Sequence, residues 1–107
     1  MELERYTFVL LRRPPDPTEY PAERLNEIQE QHLAHLGELH ARGVLLLAGP
    51  FGDQPDESLR GLCVLSTGVD ETRELMANDP AVRAGRLAAE VMSWWTAPGS
   101  LPASGSS

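Results

Sequence analysis

Lysine is absent from this chain, and its nine positive side chains are all arginines, spread from Arg5 to Arg86 against sixteen Asp and Glu. Nucleic-acid binding rests on clustered cations that displace counterions from phosphates, so no nucleic-acid partner is expected. A formal charge of −7 speaks for solubility rather than for a particular function. The single cysteine, Cys63, excludes an internal disulfide. It sits in the apolar run Leu62-Cys63-Val64-Leu65, where a thiol reads as a small buried hydrophobe rather than a reactive group. No apolar run approaches the ~18 residues of a membrane span, and no basic-then-apolar leader opens the chain. A soluble, cytoplasmic protein without a membrane partner is expected. A length of 107 residues fits one domain, large enough to bury somewhat over ~60% of its extended-chain surface.

What is present is a clear alternation of strand and helix signals. Residues 6–11, YTFVLL, are aromatic, β-branched and apolar, and they stop at Arg12-Arg13-Pro14-Pro15, a strand with a proline stop. Asp16, Pro17 and Glu19 resemble a capping box, but Pro21 interrupts it, so the continuous helix is expected to begin near Pro21. Gly43 ends it as a left-handed cap. Residues 44–51, VLLLAGPF, form an unbroken apolar run, the mark of a buried strand. A loop at 52–58 and a third strand at 59–67 follow. A short helix over 70–79 carries acids in its first turn. Asp79 before Pro80 opens one more helical turn, 79–85, and 86–96 is the fourth strand. The domain thus spans 1–96, and the Pro/Gly/Ser/Ala-rich tail 97–107 is expected to be disordered.

The order β-α-β-β-α-β is the ferredoxin-like pattern: α+β, with two helices on one face of a four-stranded antiparallel sheet. A sheet covered on one side only should be polar on the other. Here Leu87, Ala89 and Val91 alternate with Ala88 and Met92, and Trp94 and Trp95 lie on opposite faces. The bare face should therefore be covered by a second subunit, with Trp94 or Trp95 near the seam, making a homodimer.

All three histidines, His32, His35 and His40, lie on the long helix. With Leu25 as zero and 100° per residue, Leu36 falls at about +20°, Leu39 at about −40° and His32 at about −20°. His32 is thus centred in the apolar stripe that faces the sheet. His35 and His40 fall at its borders. Gaps of three, five and eight residues do not converge as zinc ligands do, so no metal site is expected. An imidazole in an apolar stripe must hydrogen-bond, since an unsatisfied buried polar group costs about 1–3 kcal/mol. His32 is therefore either a core histidine bonded to a backbone carbonyl or an acid–base group at the bottom of a cleft.

Three segments, HLAHLGELHARGVLLLAGPF (32–51), RGLCVLS (60–66) and NDPAVRAGRLAAEVMSWW (78–95), resemble the YciI-like (YCII-related) family, with likeness extending over nearly the whole ordered chain. The resemblance implies a dimeric α+β barrel, related in architecture to muconolactone isomerases. It implies an acid–base pair of a histidine on the first helix, matched by His32, and an aspartate in an Asp-Pro turn, matched by Asp79. Gly49 and Pro50 match the strand-end motif and would leave backbone exposed at the pocket mouth. His35 stands where an aromatic residue is expected, which would add a second polar group to the substrate site. The first loop is longer and richer in proline than the family's minimal one, which would alter the pocket rim. Asp79 also has a purely structural reading as an N-cap. No Ser or Cys is placed by motif as a nucleophile. The expectation is proton transfer, isomerase- or lyase-like, on a small carbonyl-bearing or aromatic-derived molecule, with no cofactor. The alternative is a binding or structural dimeric domain without catalysis.

Overall fold

Strand β1 (Glu4–Arg12) shows in its side chains how the layers divide: Thr7, Val9 and Leu11 are buried, and Tyr6, Phe8 and Leu10 between them are less so. The computed structural model describes residues 2–101. After β1 come α1 (Ala22–Ala41), β2 (Leu45–Pro50), β3 (Leu59–Leu65), α2 (Val69–Ala77), α3 (Pro80–Arg83) and β4 (Ala88–Thr96). The sheet order is β2-β3-β1-β4, every pair antiparallel, which is the α+β ferredoxin-like arrangement the sequence implies. The helix that follows β3 is split in two, and the break falls at Asn78-Asp79.

Register places the inner layer. Val9 stands opposite Cys63 on one side and Val91 on the other, and Leu11 stands opposite Gly61 and Ala89. Val9, Leu11 and Cys63, with Leu45, Leu65, Leu39 and Met76, form the core beneath the helices. α1 packs on α3 and the β2 edge, and α2 packs on β4.

The end of α1 is a Schellman motif. Gly43 takes φ +74°, its N–H donates to the His40 carbonyl, and the Val44 N–H donates to the Leu39 carbonyl. Glycine reaches that conformation without a Cβ penalty. The helix start is plainer. Pro21 is the N-cap residue and offers no side-chain cap, so the Asp16–Glu19 segment lies wholly outside the helix. That segment and Tyr20 instead clasp the turn after α3. The Thr18 N–H donates to the Gly85 carbonyl at 3.2 Å, and the Tyr20 hydroxyl donates to the Ala84 carbonyl at 2.8 Å. Strand β4 begins at Ala88, two residues later than the pattern suggests, because Arg86 and Leu87 still bond back to the Ala81 carbonyl.

The outer face of the sheet is apolar and open. Met92 is 41% exposed and Trp94 37%, with Phe8 6.5 Å from the Trp94 ring. Trp95 points to the other side, with the Arg5 guanidinium 5.7 Å from its ring centre. Residues 97–101 include a turn in which the Gly99 N–H donates to Glu4 at 3.2 Å. The rest of the tail expected to be disordered, 102–107, lies outside the described residues.

Candidate active site

Between the Leu25–Leu36 stretch of α1 and the β3–β2 edge lies a cavity of about 390 Å³. Its apolar walls are Leu25, Ile28, Leu33 and Leu36 of α1, with Leu11, Leu62 and Leu87 opposite. This accounts for a feature of the helical stripe: Leu33 is 56% exposed although it stands on the apolar side. It faces the cavity rim rather than packed side chains.

His32 is buried in the centre of the stripe and lines the cavity. Its Nδ1 lies 2.6 Å from Oδ2 of Asp79, which is wholly buried. The packing of α3 on α1 brings together two residues 47 apart in sequence. Asp79 is at once the N-cap of α3, its Oδ1 accepting the Ala81 N–H at 2.9 Å, and the partner of His32. The two oxygens divide these tasks, so the capping and pairing readings of Asp79 hold together. An ionised carboxylate can only accept, so the neutral imidazole carries its proton on Nδ1 and leaves the Nε2 lone pair free. Nε2 has no hydrogen-bond partner among the described residues, yet no buried side-chain nitrogen or oxygen among them is left unsatisfied. Nε2 is therefore open to the cavity.

Gly49 and Pro50 also line the cavity, as the strand-end motif implies. They sit there because of Gly61, a residue to which the sequence reading assigned no role. A Cβ on Gly61 would stand 2.6 Å from the Gly49 carbonyl oxygen and 3.3 Å from the Pro50 Cα. The close approach of β2 to β3 at the cavity depends on that missing side chain.

His35 does not join the cavity. Its Nε2 donates to the Leu75 carbonyl at 2.9 Å, which ties α1 to α2. His40 likewise donates from Nδ1 to the Leu45 carbonyl at 3.1 Å. Cys63 lines the floor of the cavity as a neutral thiol: burial, helped by the negative charge of Asp79, pushes its pKa up to about 12. A thiol so held is no nucleophile near neutral pH. Among the described residues no three His, Cys, Asp or Glu side chains converge as a metal site.

Three arginines complete the lining: Arg13, Arg60 and Arg86. Far apart in sequence, they read there as scattered charges, and only the fold assembles them. Arg13 follows β1, Arg60 lies on β3, and Arg86 precedes β4.

No curated protein matches the chain. Among solved structures, it is similar to 5-chloro-2-hydroxyhydroquinone dehydrochlorinase (TftG) from Burkholderia phenoliruptrix AC1100, solved in complex with 2,5-dihydroxybenzoquinone. That likeness has 24% identity and a TM-score of 0.50, and it covers 82% of this chain and 92% of the other. A putative PII-like signaling protein from Thermus thermophilus is similar at 12% identity and TM-score 0.46, over 92% of this chain and 96% of the other. The first likeness concerns the fold. The YCII-related domain matches residues 7–95, and the chain belongs to that family.

Proposed function

We propose that this protein is a small acid–base enzyme that moves a proton on a small organic metabolite, in an isomerase- or lyase-like reaction. The observation that carries the reading is the 2.6 Å bond between His32 and a fully buried Asp79, with Nε2 left open to a largely apolar cavity. Asp79 fixes the tautomer and steadies the imidazolium that forms when Nε2 takes a proton, the role of the acid in a catalytic triad. Asp79 has no exposure to water, so its charge acts on His32 with little screening. General base catalysis by a positioned histidine is worth about 10²–10⁴-fold. Dehydrochlorination, the reaction named for the TftG fold-mate, is an elimination, and elimination is one of the classes a histidine base can serve. Fold alone does not transmit function, and the proposal rests on the pair.

A cytoplasmic setting belongs to the same proposal. Among the described residues, no helix is long and apolar enough to cross a membrane. The proposal also includes a homodimer, formed by the outer sheet face around Phe8, Met92 and Trp94. Arg12 at the border of that face is already neutralised by Glu90 at 2.7 Å and Asp56 at 3.2 Å, so apolar burial can proceed without stranding a charge. Stable dimer interfaces of this kind bury about 2,000 Å² or more. Sedimentation equilibrium should return twice the chain mass at micromolar concentration, and a single monomeric species would remove the dimer.

The catalytic test is exchange of carbon-bound hydrogen for deuterium. The protein is incubated in D₂O with a panel of small keto acids, lactones and hydroxyquinones, and each C–H signal is followed by NMR. Exchange on at least one compound, reduced about 100-fold or more in His32→Gln, is expected. Binding without exchange in the wild type would favour the alternative, a module that holds a metabolite without turning it over.

A further inference from the structure

The cavity concentrates one sign of charge in a chain dominated by the other. Three of nine arginines line it, and none of the sixteen acidic side chains does. Three of the other six arginines are neutralised: Arg12 by Glu90 and Asp56, Arg24 by Glu27, Arg73 by Asp70. Arg13, Arg60 and Arg86 have no carboxylate within salt-bridge reach among the described residues. Backbone carbonyls hold them instead, and a carbonyl orients a guanidinium without cancelling its charge. Arg13 donates to the Arg86 carbonyl, Arg86 to the Thr18 carbonyl at 3.1 Å, and Arg60 to the Glu57 carbonyl at 3.3 Å. The cost of the arrangement shows at Arg13. Partial burial, with repulsion from Arg86 and Arg60, holds its pKa below the usual guanidinium value. Oriented, unpaired and mutually repelling cations around a cavity are what an anion would relieve.

The geometry points to a carboxylate-bearing organic molecule as the ligand of this cavity, its anionic end held by Arg13, Arg60 and Arg86 and its apolar body against the leucines of α1. The assignment rests on the cavity being the reacting site proposed above. A guanidinium fork matches the two oxygens of a carboxylate. Carboxylate capture at one end of the cavity would orient the rest of the molecule relative to His32 Nε2. Apolar walls suit a ring or short hydrocarbon body better than a polyol or a nucleotide.

Benzoate and benzamide, similar in shape and different in charge, are the probes, with binding followed by calorimetry at low salt. Benzoate should bind at least about tenfold more tightly than benzamide, and added salt should weaken benzoate alone. Arg60 is exposed on the strand, so Arg60→Gln should fold normally, weaken benzoate about tenfold and leave benzamide unchanged. Arg13→Gln should do the same; if it fails to fold, Arg60→Gln still decides. Equal binding of the two probes, no benzoate binding, or an Arg60→Gln variant indistinguishable from wild type would overturn the assignment. Phenyl phosphate binding more tightly than benzoate would overturn the carboxylate in favour of a phosphate. His32→Gln separates the two proposals, since it should retain benzoate binding within a few-fold while losing proton exchange.

Discussion

Replacing Asp79 with Asn, and separately with Ala, divides the two roles that its carboxylate plays. In Asp79→Asn the amide oxygen can still accept the Ala81 N–H that Oδ1 now receives at 2.9 Å, so the cap of α3 survives. The amide nitrogen then faces His32 Nδ1 across the present 2.6 Å contact. Two N–H groups cannot point at one another, so the imidazole must move its proton to Nε2. A base becomes a donor while the side-chain volume stays nearly constant. The stability cost is that of exchanging a charge-assisted bond for a neutral one, about 1 kcal/mol, and a domain of this size should lose about 4–8 °C in Tm. The activity cost is far larger: about 10⁴-fold is the scale when the orienting acid of a Ser–His–Asp triad becomes an amide. Asp79→Ala behaves differently. It removes the cap and so leaves two buried donors, the Ala81 N–H and His32 Nδ1–H, unmatched at about 1–3 kcal/mol each, so Tm should fall by about 10 °C or more. Deuterium exchange and thermal melting on the same preparations provide both readings. An Asp79→Asn protein that keeps exchange within a few-fold of wild type would refute the pairing role and reduce Asp79 to a helix cap.

Gly61→Ala should force β2 away from β3, because its Cβ would meet backbone at 2.6 Å rather than a yielding side chain; a loss of about 1–3 kcal/mol in urea unfolding is expected, and no loss would show that the strands give way freely. Cys63 should resist alkylation at pH 8 in the folded protein. Because burial raises its pKa to about 12, the unfolded thiol ionises near pH 9 while the folded one stays protonated. Stability from this group is complete below about pH 9 and falls at about 1.4 kcal/mol per pH unit between about 9 and 12; Cys63→Ala should lose that slope, and an unchanged slope would contradict the burial argument. His35→Ala should lower stability by about 1 kcal/mol, the worth of its bond to the Leu75 carbonyl, and leave exchange within a few-fold; a collapse of exchange would return His35 to the site.

The strands, the long helix and the inward aim of His32 were legible because periodicity is a local property: Val9 and Leu11 face in because Phe8 and Leu10 face out. Gly43 was legible for the same reason, since a helix stop is written in one residue and its neighbours. Helix starts were harder. Asp16 and Glu19 carry the chemistry of a capping box, but Thr18 and Tyr20 are drawn to the turn after α3, a tertiary contact that no local rule contains. The meeting of His32 with Asp79 was implied by resemblance, not by spacing, because two residues 47 apart meet only through the packing of α3 on α1. His35 shows the reverse case. The resemblance suggested the pocket for it, yet its position at the border of the helical stripe carries it to the Leu75 carbonyl. The arginine group was invisible for a plain reason: Arg13, Arg60 and Arg86 lie at or near the ends of three different strands, and charge that looks dispersed along the chain converges in space.

The imidazole tautomer of His32 can be read directly from long-range ¹H–¹⁵N spectra of labelled protein, at a pH alkaline enough to keep histidine neutral. The expected pattern is a proton on Nδ1 and a bare Nε2 in the wild type, inverted to Nε2–H in Asp79→Asn. A wild-type His32 protonated on Nε2, or a pattern unchanged by the substitution, would mean that Asp79 does not hold the ring and that the cavity contains no poised base.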